Sequence, residues 1–214
     1  MTFSREYPSP RYQQLIGFYR QMHEHGDPAQ GIPADKMFDG QSLIAHVVFL
    51  RQLLQNVGAR TVLDYGSGKA GAYDSMPFRL PGGGSAVGLK KYWDVDRIHL
   101  YDPGYGPHSA LPDEQFHAVI ATDVMEHVPQ EDITWVIDEL YGYAERLLYA
   151  CIATYPAKKF FPDGSNVHVT LHEPDWWIQH FDGRKAALNA PAEYVLVFDH
   201  GPGSKPDIRS SFLK

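Results

Sequence analysis

Cysteine is almost absent from this chain, since Cys151 is the one cysteine in 214 residues. An intramolecular disulfide and a cysteine-based zinc site are therefore excluded. Long apolar runs are also missing, because none approaches the roughly 18 residues that a membrane helix needs. Residues 1–10 lack the apolar core of a signal peptide. These absences predict a soluble, cytoplasmic protein that has no membrane partner.

Positive charge is the second deficit. Lysine and arginine together number 19 against 26 aspartates and glutamates, which gives a net charge of −7. A protein that holds nucleic acid by its phosphates needs a basic surface, so a nucleic-acid partner is disfavoured. The hydrophobic fraction of 43% suffices for a packed core. We expect an N-terminal cap or lid over residues 1–35 and a single domain over residues 36–214, and homo-oligomerisation stays open.

Apolar segments of two kinds alternate along the chain. Short runs rich in β-branched residues predict buried strands, and apolar residues at helical spacing predict helices. The predicted strands are 61–64, 97–101, 117–121, 148–154 and 194–198. The predicted helices are 11–24, 42–57, 133–147 and a short one that begins at Pro174. This order predicts an α/β, Rossmann-like fold with a mostly parallel twisted sheet and helices on both faces.

Acidic residues end three of the predicted strands, at Asp64, Asp102 and Asp123. Parallel sheets bind ligands beyond the carboxyl ends of their strands, where these acids would lie. Residues 66–71 (GSGKAG) follow the first acid and predict a glycine-rich turn that opens a helix. Their spacing also fits a dinucleotide fingerprint. The two oxygens of a carboxylate such as Asp102 suit the vicinal hydroxyls of a ribose.

A second group of residues with ionisable side chains begins at Asp123, the third of these strand-end acids. Asp123, Glu126 and His127 have the spacing i, i+3 and i+4, which places them on one face of a helical turn. One interpretation is a capping box, with Asp123 as the N-cap and Glu126 three residues later. The other is a metal site completed by His168, whose mixed donors favour Mn, Fe, Co or Zn over Mg.

Three segments together resemble the class I S-adenosylmethionine-dependent methyltransferases, namely VLDYGSGKAGAY, HLYDPGY and FHAVIATDVMEHVP. Within that superfamily the chain is similar to small bacterial and phage-type members. These share a Phe-x-Gly-x-Ser segment, here residues 38–42, and a late Pro-Asp-Gly-x-Asn-x-His segment, here residues 162–168. A Trp-Trp pair follows, here at 176–177. The resemblance covers roughly residues 36–181.

The resemblance implies S-adenosyl-L-methionine as cofactor and methyl transfer to an oxygen or nitrogen of a small-molecule acceptor. His168 is the first candidate for a general base and His127 the second. The residues implied at the cofactor are Phe38, Gly40, Asp64, Tyr65, Gly66, Ser67, Gly68, Lys69, Tyr101, Asp102, Pro103, Thr122, Asp123 and Val124. Between Asp102 and Asp123 the chain is too short for the strand and helix that most of the superfamily has there. We therefore expect a sheet trimmed by one strand.

A second, looser resemblance concerns the order acid-x-x-Glu-His with a distant histidine. It is similar to the metal-binding quartet of the small-RNA 2′-O-methyltransferases and to a pattern in quinone-pathway O-methyltransferases. It implies a divalent metal ion on Asp123, Glu126, His127 and His168, which would chelate two oxygens of the acceptor. Two further interpretations stay open: an NAD(P)-dependent oxidoreductase with a Rossmann fold, and a non-catalytic protein that binds a nucleoside cofactor.

Overall fold

A six-stranded sheet forms the centre of the computed structural model, which describes residues 2–28, 30–71, 73, 77–80 and 82–212. Its strands are β1 (Thr61–Tyr65), β4 (Arg97–Tyr101), β5 (Phe116–Thr122), β6 (Ala144–Ala153), β7 (Glu193–Asp199) and β8 (Asp207–Ser210). Their order across the sheet is β4-β1-β5-β6-β7-β8. The first five strands are parallel, and β8 pairs antiparallel with β7. Two short strands, β2 (Pro77–Arg79) and β3 (Ser85–Val87), form a separate hairpin.

Helices cover both faces of the sheet. They are α1 (Pro10–His25), α2 (Val47–Asn56), α3 (Leu89–Trp93), α4 (Ile133–Tyr143) and α5 (Pro174–Leu188). One apolar core joins α4 and α5 to the sheet, with Ile137 and Trp177 fully buried in it. The other core joins α2 and α3 to the opposite face, around Leu54 and Trp93. Parallel strands that are covered on both sides are apolar on both sides, and β5 and β6 are buried almost throughout.

The predicted α/β architecture is confirmed at this level: a mostly parallel sheet flanked by helices, compatible with a Rossmann-like fold. All five predicted strands and the helix at 11–24 are present, with ends shifted by a few residues at most. The segment between β4 and β5 contains one 3-10 turn, Gly106–His108, and neither a strand nor an α-helix. As its length led us to expect, this connection lacks an additional strand and helix. Among the described residues, no helix combines the length and apolar character that crossing a membrane requires.

Three expectations about helices are wrong in part. The helix predicted at 42–57 begins as a 3-10 helix, Gln41–His46, before α2 starts. The helix predicted at 133–147 ends at Tyr143, because Ala144 and Leu147 pair with β5 as part of β6. Buried strands and buried helix faces use the same apolar residues, so periodicity cannot locate that boundary.

The third correction concerns the glycine-rich turn after β1. No described residue among 66–71, 73 and 77–80 is helical, although a helix was predicted to start there. Instead, the N–H of Lys69 donates to the carbonyl of Phe38 at 2.8 Å, and the N–H of Gly71 donates to that of Asp39 at 3.0 Å. The turn is thus held by backbone of a distant segment rather than by a helix of its own.

Candidate functional site

A cavity of about 560 Å³ lies at the carboxyl ends of the parallel strands. Its volume falls within the range of small-molecule sites. The walls come from one face of α1, from residues 36 and 38–42, from the turn after β1 and from residues 102–104 after β4. Residues 122–124 and 127–128 at the end of β5 and the long connection after β6 complete them. The sheet therefore brings its strand ends together where ligands of such folds bind.

Asp102 organises one end of the cavity. Its Oδ2 accepts a hydrogen bond from the N–H of Gly68 at 2.9 Å, and its Oδ1 accepts one from the N–H of Gly104 at 2.8 Å. Burial raises the pKa of Asp102, although these two N–H groups oppose the rise. Each carboxylate oxygen keeps a further lone pair for a ligand.

The turn after β1 requires glycine at two positions. Gly68 has φ +55°, and a Cβ there would lie 2.3 Å from the carbonyl oxygen of Phe38. Gly66 has φ +86°, and a Cβ there would lie 2.4 Å from Cγ2 of Val124. Any larger residue would push the two covering segments away, so glycine keeps the cavity narrow at this end.

Most of the residues predicted at the cofactor line this cavity. They are Phe38, Gly40, Tyr65, Gly66, Ser67, Gly68, Asp102, Pro103, Thr122, Asp123 and Val124. Asp64, Lys69 and Tyr101 do not. The ring of Tyr101 packs in the core against that of Tyr65. The ammonium of Lys69 donates to the carbonyls of His23 and Met37, at 3.0 Å each.

Asp64 lies on the other side of the sheet from α1 and the cavity. Its Oδ2 accepts a hydrogen bond from the hydroxyl of Tyr73 at 2.7 Å. The residue as a whole is only 4% exposed. Burial raises its pKa to about 7, with the Tyr73 hydrogen bond opposing and the charge of Asp102 adding to the rise.

A cluster of three ligand-type side chains lies at another part of the cavity wall, where two of them line the cavity and the third, Glu126, is fully buried beside them. Glu126, His127 and His168 each offer one atom, and these atoms lie within 4.8 Å of one another. The 3-10 turn Met125–His127 after β5 carries two of them, and the connection after β6 carries the third. The convergence of His168 with Glu126 and His127, which spacing alone could not establish, is thus present.

Both histidines have the same tautomer, inferred from their hydrogen bonds. Nδ1 of His127 lies 2.9 Å from the carbonyl of Val167, and Nδ1 of His168 lies 2.6 Å from the carbonyl of Tyr155. A carbonyl only accepts, so each Nδ1 carries the proton and each Nε2 keeps a free lone pair. Burial lowers the pKa of His127 to about 3 and lowers that of His168, so both imidazoles are neutral and able to coordinate.

Glu126 completes the cluster with an unsatisfied oxygen. The residue is fully buried, and its Oε1 accepts from the N–H of Ala153 at 2.9 Å. Its Oε2 has no hydrogen-bond partner within the described ranges. Burial, and then the charge of Asp123, raise the pKa of Glu126 well above its usual value. A divalent cation would satisfy Oε2 together with the two imidazole lone pairs, so these three residues fit a metal ion.

Asp123 is not part of that cluster of three in the described structure. It follows β5 with φ +55°, and burial raises the pKa of its carboxyl group. The N-cap of the 3-10 turn is Val124, which makes no side-chain cap, so the capping-box interpretation of Asp123 and Glu126 is wrong. Asp123 contributes a carboxylate to the cavity wall instead.

Sequence reasoning did not single out two contributors to the site. The hydroxyl of Tyr19 on α1 lies 2.6 Å from Nδ1 of His127, and its ring packs against Phe38. Lys159 lines the cavity beside His168. The apolar face predicted for α1 already contained Tyr19, but nothing in the sequence tells which helix faces the strand ends. Comparisons with protein-family models, with curated proteins and with solved structures gave no match for this chain.

Proposed function

We propose that this protein is an S-adenosylmethionine-dependent methyltransferase that acts on an oxygen or nitrogen of a small-molecule acceptor, assisted by a divalent cation. The observation that carries the proposal is a single cavity with Asp102 and the glycine turn at one end. His127 and His168 line another part of its wall, with the fully buried Glu126 beside them. The end at Asp102 suits a nucleoside cofactor, and the part of the wall at the two histidines suits a reacting oxygen or nitrogen.

The cofactor end supports a nucleoside that carries positive charge. The free lone pairs on both oxygens of Asp102 can accept from the two ribose hydroxyls. Asp102 and Asp123 are both carboxylates on the cavity wall, and they favour a cationic sulfonium over an anionic group.

The same part of the cavity is less suited to binding a dinucleotide. Pyrophosphate groups are normally bound at a helix N-terminus that follows the glycine turn. No described residue among 66–71, 73 and 77–80 is helical. An adenosyl sulfonium has no phosphate and so does not need such a helix. This difference favours the methyl donor over NAD(P) and an oxidoreductase.

The part of the cavity wall at the two histidines supports activation of an oxygen or nitrogen. Glu126 Oε2 and the Nε2 atoms of His127 and His168 would hold the cation. When bound, a divalent cation lowers the pKa of an oxygen that coordinates it. The Nε2 lone pair of His168 can hold a cation or take a proton, but not both at once. The unpartnered oxygen of Glu126 favours the first role for His168.

Calorimetric titration with S-adenosylhomocysteine, against NADH, tests the proposal. We expect S-adenosylhomocysteine to bind and NADH not to bind. Asp102→Ala should weaken S-adenosylhomocysteine binding at least tenfold, because both ribose hydroxyls lose their acceptor. Asp113→Ala, on the exposed segment before β5, is the matched control and should bind like the wild type.

Three outcomes would contradict the proposal. Tighter binding of NADH than of S-adenosylhomocysteine would indicate an oxidoreductase. Unchanged affinity in Asp102→Ala would remove the ribose role of Asp102. Binding of S-adenosylmethionine with no methyl transfer to any of a panel of hydroxyl and amine acceptors would indicate a non-catalytic nucleoside-binding protein.

A further inference from the structure

Three lysines line the cavity of an acidic protein: Lys36, Lys158 and Lys159. None of them forms an ion pair with a carboxylate in the part of the chain that the structure describes. There, the lysine ion pairs are confined to Lys185 with Glu193, far from the cavity wall. The cavity wall also carries three aspartates, and none of them pairs with these lysines among the described residues, so an anionic ligand can still bind to the lysines.

Lys159 is the one of the three that is partly buried. Its ammonium lies 4.7 Å from the ring centroid of Phe38. Because Phe38 also lines the cavity, this contact places the charge of Lys159 at the cavity wall.

Among the residues that the structure describes, no carboxylate forms an ion pair with Lys159. Burial lowers its pKa, and the charges of Asp39, Asp123 and Asp27 oppose that shift from beyond ion-pair distance. A partly desolvated ammonium without a paired anion is unfavourable, and an anionic ligand would remove the penalty.

The backbone fixes Lys159 beside the candidate metal ligand His168. The N–H of Val167 donates to the carbonyl of Lys159 at 3.3 Å. The side-chain oxygen of Asn166 accepts from the N–H groups of Ala157 and His168, at 3.0 Å each. These hydrogen bonds hold the backbone of Lys159 close to that of His168.

We propose that the acceptor carries an oxyanion, a carboxylate or a phosphate, and that Lys159 binds it while Lys36 and Lys158 attract it from the cavity rim. The assignment rests on the proposed function, since it names the acceptor class for the same cavity. It makes Lys159 a specificity residue for the acceptor rather than for the cofactor.

Inorganic phosphate and benzoate are the probes, one for each source of the oxyanion. Each is titrated into isotope-labelled protein, and amide chemical shifts of residues 157–168 are followed up to tens of millimolar. We expect saturable shifts in the wild type with at least one probe. Lys159→Met keeps the aliphatic stem on Phe38 and should weaken that binding at least tenfold, whereas Lys159→Arg should retain most of it. Lys91→Gln, on exposed α3 surface, should match the wild type.

The absence of saturable shifts with both probes would overturn the inference, as would equal binding in Lys159→Met and the wild type. S-adenosylhomocysteine is titrated into the same variants. If its affinity falls as far as that of the anion in Lys159→Met, Lys159 binds the cofactor carboxylate and the acceptor assignment is wrong. If the wild type binds the anion but not S-adenosylhomocysteine, the proposed function fails while the oxyanion site stands.

Discussion

Glu126 has a buried carboxylate oxygen that a bound cation would satisfy. Leaving a buried polar atom without a partner costs about 1–3 kcal/mol, and more for a charged group. Oε2 of Glu126 is such an atom, next to two imidazoles whose Nε2 lone pairs are free. The carbonyl groups of Val167 and Tyr155 fix both imidazoles in the orientation that coordination needs. Carbonyl groups behind metal-binding histidines serve the same purpose in known sites.

At this scale we expect Glu126→Gln to weaken Co²⁺ binding at least tenfold, because it removes the anionic ligand. Titration with Co²⁺, followed by its visible absorption, measures the affinity and reports the coordination geometry. The matched control is Glu114→Gln on the exposed surface, which should bind like the wild type. Equal affinity in Glu126→Gln and the wild type would show that the three residues hold no cation.

In the segment that connects β6 to α5, the side chain of Asn166 makes three hydrogen bonds to the backbone. Besides accepting two N–H groups, Asn166 donates from Nδ2 to the carbonyl of Ala157 at 2.8 Å. Only an amide offers an acceptor and a donor in this geometry. The late Asn-x-His pattern in the sequence thus has a structural meaning, since Asn166 positions His168.

We expect Asn166→Asp to lower stability by about 1–3 kcal/mol, because a carboxylate would face the Ala157 carbonyl without a donor. Denaturant unfolding measures this change. Co²⁺ affinity should fall with it, because the repulsion at the Ala157 carbonyl displaces the oxygen that accepts from the N–H of His168, whereas a purely structural role would leave that affinity unchanged. Asn56→Asp, at the exposed end of α2, makes the same chemical change and should alter neither quantity.

The local sequence pattern was sufficient to predict most helices and strands and part of the candidate site. Apolar runs located the five parallel strands, and strand-end acids located Asp102 and Asp123 at the cavity. Asp64 differs because β1 extends one residue further, to Tyr65. Side chains alternate along a strand, so Asp64 shares its face with Val62 on the side of α2 and α3. The hairpin, α3 and β8 carry short or mixed patterns that no periodicity reveals.

The contribution of Asp64 to the stability of the whole molecule should fall as pH rises from about 4 to 7. The unfolded chain ionises Asp64 near its ordinary pKa of 3.8, whereas the folded chain holds the proton up to a pKa of about 7. Unfolding therefore releases a proton in this window and becomes easier as pH rises. The shift corresponds to a loss on the order of 4 kcal/mol by neutral pH.

Asp64→Asn removes this titration, and its amide oxygen can still accept from Tyr73. The free energy of unfolding at pH 7 minus that at pH 4, measured with denaturant, should therefore be more positive in the variant than in the wild type, by several kcal/mol, because the loss due to Asp64 is absent. The exposed Asp113→Asn should keep the wild-type difference. A pH dependence that is the same in Asp64→Asn and the wild type would contradict the raised pKa.

The helix α1 forms a wall of the cavity through contacts that are distant in the chain. The N–H of Ser9 donates to the carboxylate of the buried Asp132, 123 residues further on, and Arg5 pairs with Glu139 on α4. A ribosome makes α1 long before these partners exist. The nascent chain therefore cannot enclose a ligand until more than half of the polypeptide has been synthesised, and the assembly of the pocket is a late event in the life of each molecule.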